Sequence, residues 1–244
     1  MNVLGSKVRK ARKIGVVLNG VLSLYPEAEY WEPFMGSCAI TAVIDPTRRR
    51  VASDLNEDLV KLFLALKNGW TPPTSVSKER WREYREEYRA GVRSPDHTFV
   101  GFACSYSSNW YAAYAKGSDT KDISKTLLER FRRGKLSEVE FSCRDYRGIE
   151  GLIPKGSVLL LDPPYEAVAK QRRLEDPVLM QKDFWEWATY MSADYGCKVY
   201  VTNYYVPSEW KPILDIGSYI SIASNSPSRW QSEYMMRLRR KGEE

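Results

Sequence analysis

The chain has 244 residues, 43% of them hydrophobic, and a formal net charge of +6. The hydrophobic fraction excludes a disordered chain, and no apolar run approaches the roughly 20 residues that a membrane-spanning helix needs, so we expect no membrane partner. Four scattered cysteines without a C-x-x-C pair and a single histidine predict neither a disulfide framework nor a metal site. Residues 1–26 lack the layout of a signal peptide, and we therefore expect a cytoplasmic protein.

Helix and strand patterns alternate along most of the chain. Helices are predicted within residues 1–26, at 40–44, from about 57 to a stop at Asn68-Gly69, at 78–93 and at 183–191. Strands are predicted at 29–32, 51–54, 139–142, 157–161, 198–202, 219–223 and 233–238. This alternation predicts a doubly wound, mostly parallel α/β sheet that ends in an antiparallel hairpin.

The composition changes between residues 69 and 135, where basic and aromatic residues are dense. We expect a small, mainly helical inserted subdomain at 69–135, with residues 1–68 and 136–244 forming one α/β domain. On its first helix the aromatic residues fall on one face, with Arg82, Arg85 and Arg89 beside them. Two interpretations remain open: arginines that meet phosphates or base edges, or a solvated helix whose charges pair at i, i+3 and i, i+4.

The net positive charge favours a polyanionic partner, because a nucleic acid releases counterions when lysine and arginine neutralise its phosphates. Charge alone does not decide this, since many basic proteins bind no nucleic acid specifically. The candidates for nucleic-acid contact are Arg82, Arg85, Arg89, Lys116, Arg132, Arg133, Lys170 and Arg172.

The most informative motif is Asp162-Pro163-Pro164-Tyr165, which follows the most apolar predicted strand. Open α/β sheets bind their ligands at the carboxyl ends of such strands. An exocyclic amine of a nucleobase is a poor nucleophile, and the Asp162 carboxylate and the Pro163 carbonyl could accept its two N–H groups. Tyr165 offers a face on which an extruded base stacks. The alternative interpretation is a Pro-Pro turn with a surface aspartate.

Several other segments accompany this motif. Glu32-Pro33-Phe34-Met35-Gly36-Ser37 is similar to an E-P-F-x-G loop, and residues 53–57 to an N-D-x-N segment. Gly5-Ser6-Lys7 is similar to a G-G-K element, and residues 99–106 and 203–207 to two further family segments. In this set and order the chain resembles the Dam-like (D12 class, alpha-group, phage-type) DNA adenine-N6 methyltransferases.

The resemblance implies a Rossmann-like methyltransferase sheet, S-adenosyl-L-methionine as cofactor and double-stranded DNA as partner, in a bacterial or phage-infected cell. It implies that Asp162, Pro163, Pro164 and Tyr165 are catalytic. The implied cofactor-binding residues are Lys7, Glu32, Pro33, Phe34, Met35, Gly36, Ser37, Asp54, Asp145 and Asp162. In particular, Phe34 to Gly36 would wrap the methionine portion, Asp54 would hold the ribose hydroxyls and Asp145 would approach the cofactor adenine. We expect a monomer or a weak dimer.

Other roles remain open for some of these positions. Asp54 could be a simple helix N-cap, and Lys7 could be a solvated charge. Cys38 stands where the family has a second loop glycine, so cofactor binding is expected to be weakened or unchanged. The motifs also fit a cytosine-N4 or an RNA adenine-N6 methyltransferase, or a catalytically silent DNA-binding protein of the same fold.

Overall fold

The computed structural model describes residues 7–115, 120–164, 177–221, 229–240 and 242–243. The α-helices of this part are α1 (Ala11–Leu24), α2 (Glu57–Lys67), α3 (Lys78–Arg89), α4 (Pro95–Ala103), α5 (Lys121–Arg133) and α6 (Pro177–Ala193). Its strands are β1 (Tyr30–Glu32), β2 (Arg50–Asp54), β3 (Glu140–Cys143), β4 (Val158–Leu161), β5 (Lys198–Asn203), β6 (Trp210–Ser221) and β7 (Arg229–Leu238).

One seven-stranded sheet has the strand order β3-β2-β1-β4-β5-β7-β6. Strands β1 to β5 are parallel, and β7 lies antiparallel between β5 and β6. All four residues of β4 are buried, as expected for a parallel strand covered on both faces. The predicted α/β class, with its mostly parallel sheet and antiparallel C-terminal hairpin, is confirmed.

Helices cover both faces of this sheet. On one face α1 buries Ile14, Leu18 and Leu22 in a cluster with residues of β1, β4, β5 and β7. On the opposite face, Phe184 and Ala188 of α6 join a cluster with alternate residues of β4 and β5. The sheet is therefore doubly wound. Successive side chains of each strand point to opposite faces, so they pack alternately against the helices on one face and those on the other.

A third apolar cluster lies over β2 and β3 and includes residues of α2, α3, α4 and α5. Trp81 of α3 is buried there, and Tyr84 and Tyr88 pack against the same cluster, which confirms the predicted aromatic face. The helices of residues 69–135 thus share their apolar contacts with α2 and two strands of the sheet. Their assignment to a separate subdomain stays a prediction.

Two predicted elements differ most from the structure, besides β7 and α6, which begin at Arg229 and Pro177 and not at 233 and 183. The helix predicted at 40–44 is wrong, because only a 3₁₀ turn (Thr41–Val43) forms there. Cys38 has a left-handed backbone (φ +56°) and Pro46 disfavours helix at the residue before it, so only one turn fits between them. Strand β6 begins at Trp210, well before the predicted residue 219, and residues 222–223 lie outside the described residues. Register shifts along β6 break the two-residue alternation that sequence patterns detect.

Among the residues that the structure describes, no helix is both long and apolar enough to cross a membrane.

Candidate active site at the carboxyl edge of the sheet

The predicted site residues gather where the chain changes direction across the sheet. Strand β1 is hydrogen-bonded to β2 on one side and to β4 on the other, so the connections diverge at the carboxyl ends of β1 and β4. Such a switch point leaves a crevice in which α/β proteins bind ligands. Gly36, Asp145 and Asp162 lie in the segments that follow β1, β3 and β4, and Asp54 is the last residue of β2.

The Asp162 carboxylate is held by two donors from distant parts of the chain. Lys7 Nζ lies 2.6 Å from Oδ1 and 2.8 Å from Oδ2, and the Thr202 hydroxyl donates to Oδ1 at 2.6 Å. Lys7 is only 5% exposed, so the alternative of a solvated lysine is wrong. Pro163 is half-buried and Pro164 is exposed, and Tyr165 lies outside the described residues.

Lys7 contacts a second acid as well. Its ammonium lies 3.1 Å from Glu233 Oε1, and Lys10 binds Oε2 of the same carboxylate at 2.5 Å. Burial alone would lower the pKa of Lys7, but Asp162 and Glu233 outweigh burial and raise it above its ordinary value. The lysine therefore carries its charge at neutral pH, and the four groups alternate in sign along the series Asp162, Lys7, Glu233, Lys10.

The loop after β1 is tied to the end of β2. The Gly36 N–H donates to Asp54 Oδ2 at 2.9 Å, and the Met35 N–H donates to the Ser53 carbonyl at 2.9 Å. Gly36 has φ +45°, and a Cβ built there would meet nothing within 4 Å, so the loop borders open space. The side chains of Met35 and Ser37 are buried, which leaves mainly the backbone of this loop for a ligand.

Asp54 is not the N-cap of α2. Asn56 caps that helix, since its side chain accepts from the N–H groups of Asp58 and Leu59. The second Asp54 oxygen, Oδ1, accepts from the Asn56 N–H at 2.9 Å. The carboxylate thus joins the β1 loop to the start of α2 at the edge of the crevice.

Cys38 occupies a position that favours glycine. Its φ of +56° lies in the left-handed region, where a Cβ is strained, and its side chain is fully buried in the cluster over β2 and β3. Burial raises the pKa of the thiol well above its ordinary value. The departure from the family loop therefore carries backbone strain and an inert thiol.

Glu32 is a buried acid at the end of β1. Its Oε2 accepts from the Tyr30 hydroxyl at 2.9 Å, from the Thr41 N–H at 3.0 Å and from the Thr41 hydroxyl. Burial raises the pKa of Glu32 to about 7, and the negative charge of Asp162 also raises it, whereas the Thr41 and Tyr30 hydrogen bonds lower it. Glu32 is therefore distributed between its protonated and ionised forms near neutral pH.

Aromatic rings surround Phe34 on the side of α6. Its ring centroid lies 5.4 Å from that of Tyr146 and 6.1 Å from that of Phe184. Asp145, next to Tyr146, accepts from Arg147 Nε at 2.9 Å, and this contact lowers the pKa of the aspartate. The predicted cofactor residues Phe34 and Asp145 are thus fixed by α6 and by an arginine.

The predicted DNA-binding arginines of α3 make contacts within their own helix. Arg85 and Arg89 each lie 3.1 Å from Glu86, and Arg85 stacks over Trp81 at 5.1 Å. The Arg89–Glu86 contact is an i, i+3 pair of the kind that the solvated-helix interpretation expects, whereas Arg85 and Glu86 are adjacent in the chain. Arg82, Arg132 and Arg133 are exposed, and Lys116, Lys170 and Arg172 lie outside the described residues.

Thr202 and Glu233 were missed from the sequence, although both contact the predicted site residues Asp162 and Lys7. A signal for Thr202 was its position as the polar end of an apolar strand. The signal for Glu233 was its spacing of two residues from Met235, which places both side chains on the same face of a strand, and that face is apolar.

Comparison with protein families addresses the first part of the chain. Residues 4–100 match the D12 class N6 adenine-specific DNA methyltransferase family. The resemblance to adenine methyltransferases is thereby confirmed, and the match supports a DNA methyltransferase. It includes Lys7, the loop after β1 and Asp54, and it ends before β4 and Asp162.

A comparison with curated proteins returns no match. Among solved structures the chain is similar to the crystal structure of TrmN from Thermus thermophilus, with 13% identity and a TM-score of 0.36. The similarity covers 95% of this chain but 52% of that chain, so this chain spans about half the length of TrmN. A likeness of this degree carries no information on activity.

Proposed function

We propose that this protein transfers the methyl group of S-adenosyl-L-methionine to N6 of an adenine that has left the stack of double-stranded DNA. The observation that carries the proposal is the partly buried ion pair between Lys7 and Asp162 at the tip of β4. It supports an ionised carboxylate at the switch point of the sheet, where an acceptor for an exocyclic amine is needed.

Three features at the carboxyl edge of the sheet support the proposed cofactor. Open space borders the loop at Gly36, the Asp54 carboxylate lies at its edge and the Phe34 ring lies nearby. Asp54 would accept from the ribose hydroxyls, the loop backbone would follow the methionine portion and Asp145 would lie on the adenine side. When bound, S-adenosyl-L-methionine supplies an electrophilic methyl group on a sulfonium.

Asp162 would accept one N–H of the adenine amine, and the Pro163 carbonyl would accept the other. Drawing both N–H groups out of the ring plane localises the nitrogen lone pair for in-line attack on the methyl carbon. The sulfonium would leave as a neutral thioether when the amine takes its methyl group, and Asp162 would take the proton that the amine loses and pass it to solvent. Lys7 and Thr202 hold that carboxylate in place.

The net charge of +6 supports a DNA partner, since each phosphate contact made by lysine or arginine releases counterions. Among the described candidates we propose the exposed Arg82 and Arg132 as phosphate contacts, together with Arg133, whose guanidinium lies 3.7 Å from Glu129 and is therefore less closely paired than Arg85 and Arg89. Arg85 and Arg89, which are paired with Glu86, would contribute less.

The test is methylation of a random-sequence duplex DNA pool, read by mass analysis of nucleosides and by sequencing that detects modified bases. N6-methyladenine is the expected product, and Asp162→Asn should abolish it because an amide cannot take the proton that the amine loses and has no charge to pair with Lys7. Asp194→Asn, which changes an exposed aspartate after α6, is the matched control and should retain full activity.

The other outcomes separate the alternatives. N4-methylcytosine would identify the cytosine enzyme, and a preference for RNA over duplex DNA would identify an RNA methyltransferase. An absence of cofactor binding by calorimetry at millimolar S-adenosyl-L-methionine would favour the silent DNA-binding protein and would refute the proposal.

A further inference from the structure

We propose that Glu233 is a positioning residue that fixes the Lys7 ammonium against Asp162, a role that rests on the function proposed above. Glu233 lies on β7, next to Tyr234, whose partner in the sheet is Asn203 at the carboxyl end of β5. Its carboxylate therefore reaches the same edge of the sheet as Asp162. It is 1% exposed, and both of its oxygens contact lysines.

Lys7 needs such a second contact. Its ammonium is carried on a flexible four-carbon stem, and the residue precedes the first turn of α1. Asp162 at 2.6 Å and Glu233 at 3.1 Å approach the ammonium from two different strands. Two carboxylates on separate strands fix the position of a point charge far better than one does.

Glu233 is itself held on its other side. Lys10 binds Oε2 at 2.5 Å, while Lys7 is bound by Oε1, so neither oxygen can turn without losing an ion pair. The two acids and two lysines sum to no net charge, which reduces the cost of burying them. Glu233 thus acts on the reaction through Lys7 and not by contact with the substrate.

The consequence for catalysis concerns the orientation of Asp162. Lys7 binds both Asp162 oxygens and Thr202 binds one, so a displaced ammonium would turn the carboxylate plane. A displacement of about 1 Å from the productive geometry costs on the order of 100-fold in rate. Cofactor affinity would depend mainly on the loop after β1, Asp54 and Asp145, and DNA affinity on phosphate contacts, so both should change little.

The kinetic test compares Glu233→Asp with Glu233→Gln. The aspartate keeps the charge but withdraws the carboxylate by about 1.5 Å, one C–C bond length. We expect both variants to lower kcat by about 10- to 100-fold and to leave the KM values for cofactor and DNA within about twofold. Glu243→Gln, which alters a glutamate 2.7 Å from Arg237, is the matched control and should retain the wild-type kcat.

A second variant separates positioning from charge balance. Combining Glu233→Gln with Lys10→Met returns the local charge to zero without restoring the contact to Lys7. The combined variant should remain as slow as Glu233→Gln alone. A recovery of kcat would overturn the positioning role, as would an undiminished kcat in Glu233→Asp and Glu233→Gln.

A measurement without substrate keeps the inference independent of the proposed function. The NH₃⁺ resonance of Lys7 in nitrogen-15 NMR spectra, identified by its loss in Lys7→Arg, reports proton exchange of the ammonium. We expect slow exchange in the wild type and at least about tenfold faster exchange in Glu233→Gln, since one ion pair is lost. Unchanged exchange would refute the proposed hold on Lys7 even if the wild type methylates DNA. If exchange is faster in Glu233→Gln but the wild type does not methylate DNA, only the methyl-transfer function is refuted.

Discussion

Glu32→Gln is expected to change how the stability of the protein depends on pH. The folded protein raises the Glu32 pKa from 4.5 to about 7, chiefly by burial. Between these values the folded state holds a proton that the unfolded state has lost, so the stability of the wild type falls as the pH rises. A glutamine at this position is neutral at every pH, so the variant does not lose stability in this way as the pH rises.

The size of the effect follows from the same two pKa values. One pKa unit corresponds to about 1.4 kcal/mol, so the full shift corresponds to about 3 kcal/mol. Most of it, about 2.5 kcal/mol, develops between pH 5 and pH 8, because at pH 5 the unfolded state has already begun to ionise. The hydrogen bonds from Tyr30 and Thr41 end on an oxygen that glutamine retains.

Urea unfolding of the wild type and the variant at pH 5, 6, 7 and 8 measures this difference. The free energy of unfolding of Glu32→Gln relative to the wild type should rise by about 2.5 kcal/mol across the series. Subtracting the two proteins cancels the other titrating groups. A difference that stays constant with pH would show that Glu32 is ionised in the folded state, and the reasoning from burial would be refuted.

Substitutions at three further positions test two buried contacts and one strained backbone conformation. Lys7→Met should lower the free energy of unfolding by about 3–5 kcal/mol in urea titrations, because Asp162 loses its buried counter-ion. A loss below about 1 kcal/mol would contradict a stabilising ion pair at this position. Cys38→Gly should be more stable than Cys38→Ala by about 1 kcal/mol, measured by the unfolding midpoint, since only glycine relieves the left-handed backbone; the reverse order would exclude strain. Arg50→Lys should cost about 2 kcal/mol by the same assay, because one ammonium cannot replace a guanidinium that donates to the carbonyls of Gly134 and Lys135. Full stability would show these hydrogen bonds to be dispensable.

The fold could be predicted from local patterns wherever those patterns were regular. Val158 to Leu161 formed a continuous apolar run, and Asn56 stood directly before the acidic first turn of α2, so both elements were found. The helix at 40–44 was wrong because apolar composition does not reveal a left-handed residue at Cys38. The start of β6 at Trp210 was missed because its bulges disrupt the alternation.

The candidate site was predictable to the extent that its residues lie in short motifs. The loop after β1 and Asp54 were found in this way, and the structure brings them together through the Gly36 N–H. Thr202 and Glu233 belong to no motif, and their role appears only when β5 and β7 are placed beside β4. Sequence alone gave no reason to connect Lys7 with an acid on the last strand.

The pairing of β7 with β5 also affects when the ionic network around Asp162 can form during folding. Glu233 and Lys10 are 223 residues apart in the chain, so closing their contact requires most of the sheet to be in place. Contacts of such long sequence separation slow folding and form after local helices. During refolding, recovery of the network of Asp162, Lys7, Glu233 and Lys10 should therefore trail recovery of helical signal, and partly folded chains would have helices before these four charges meet.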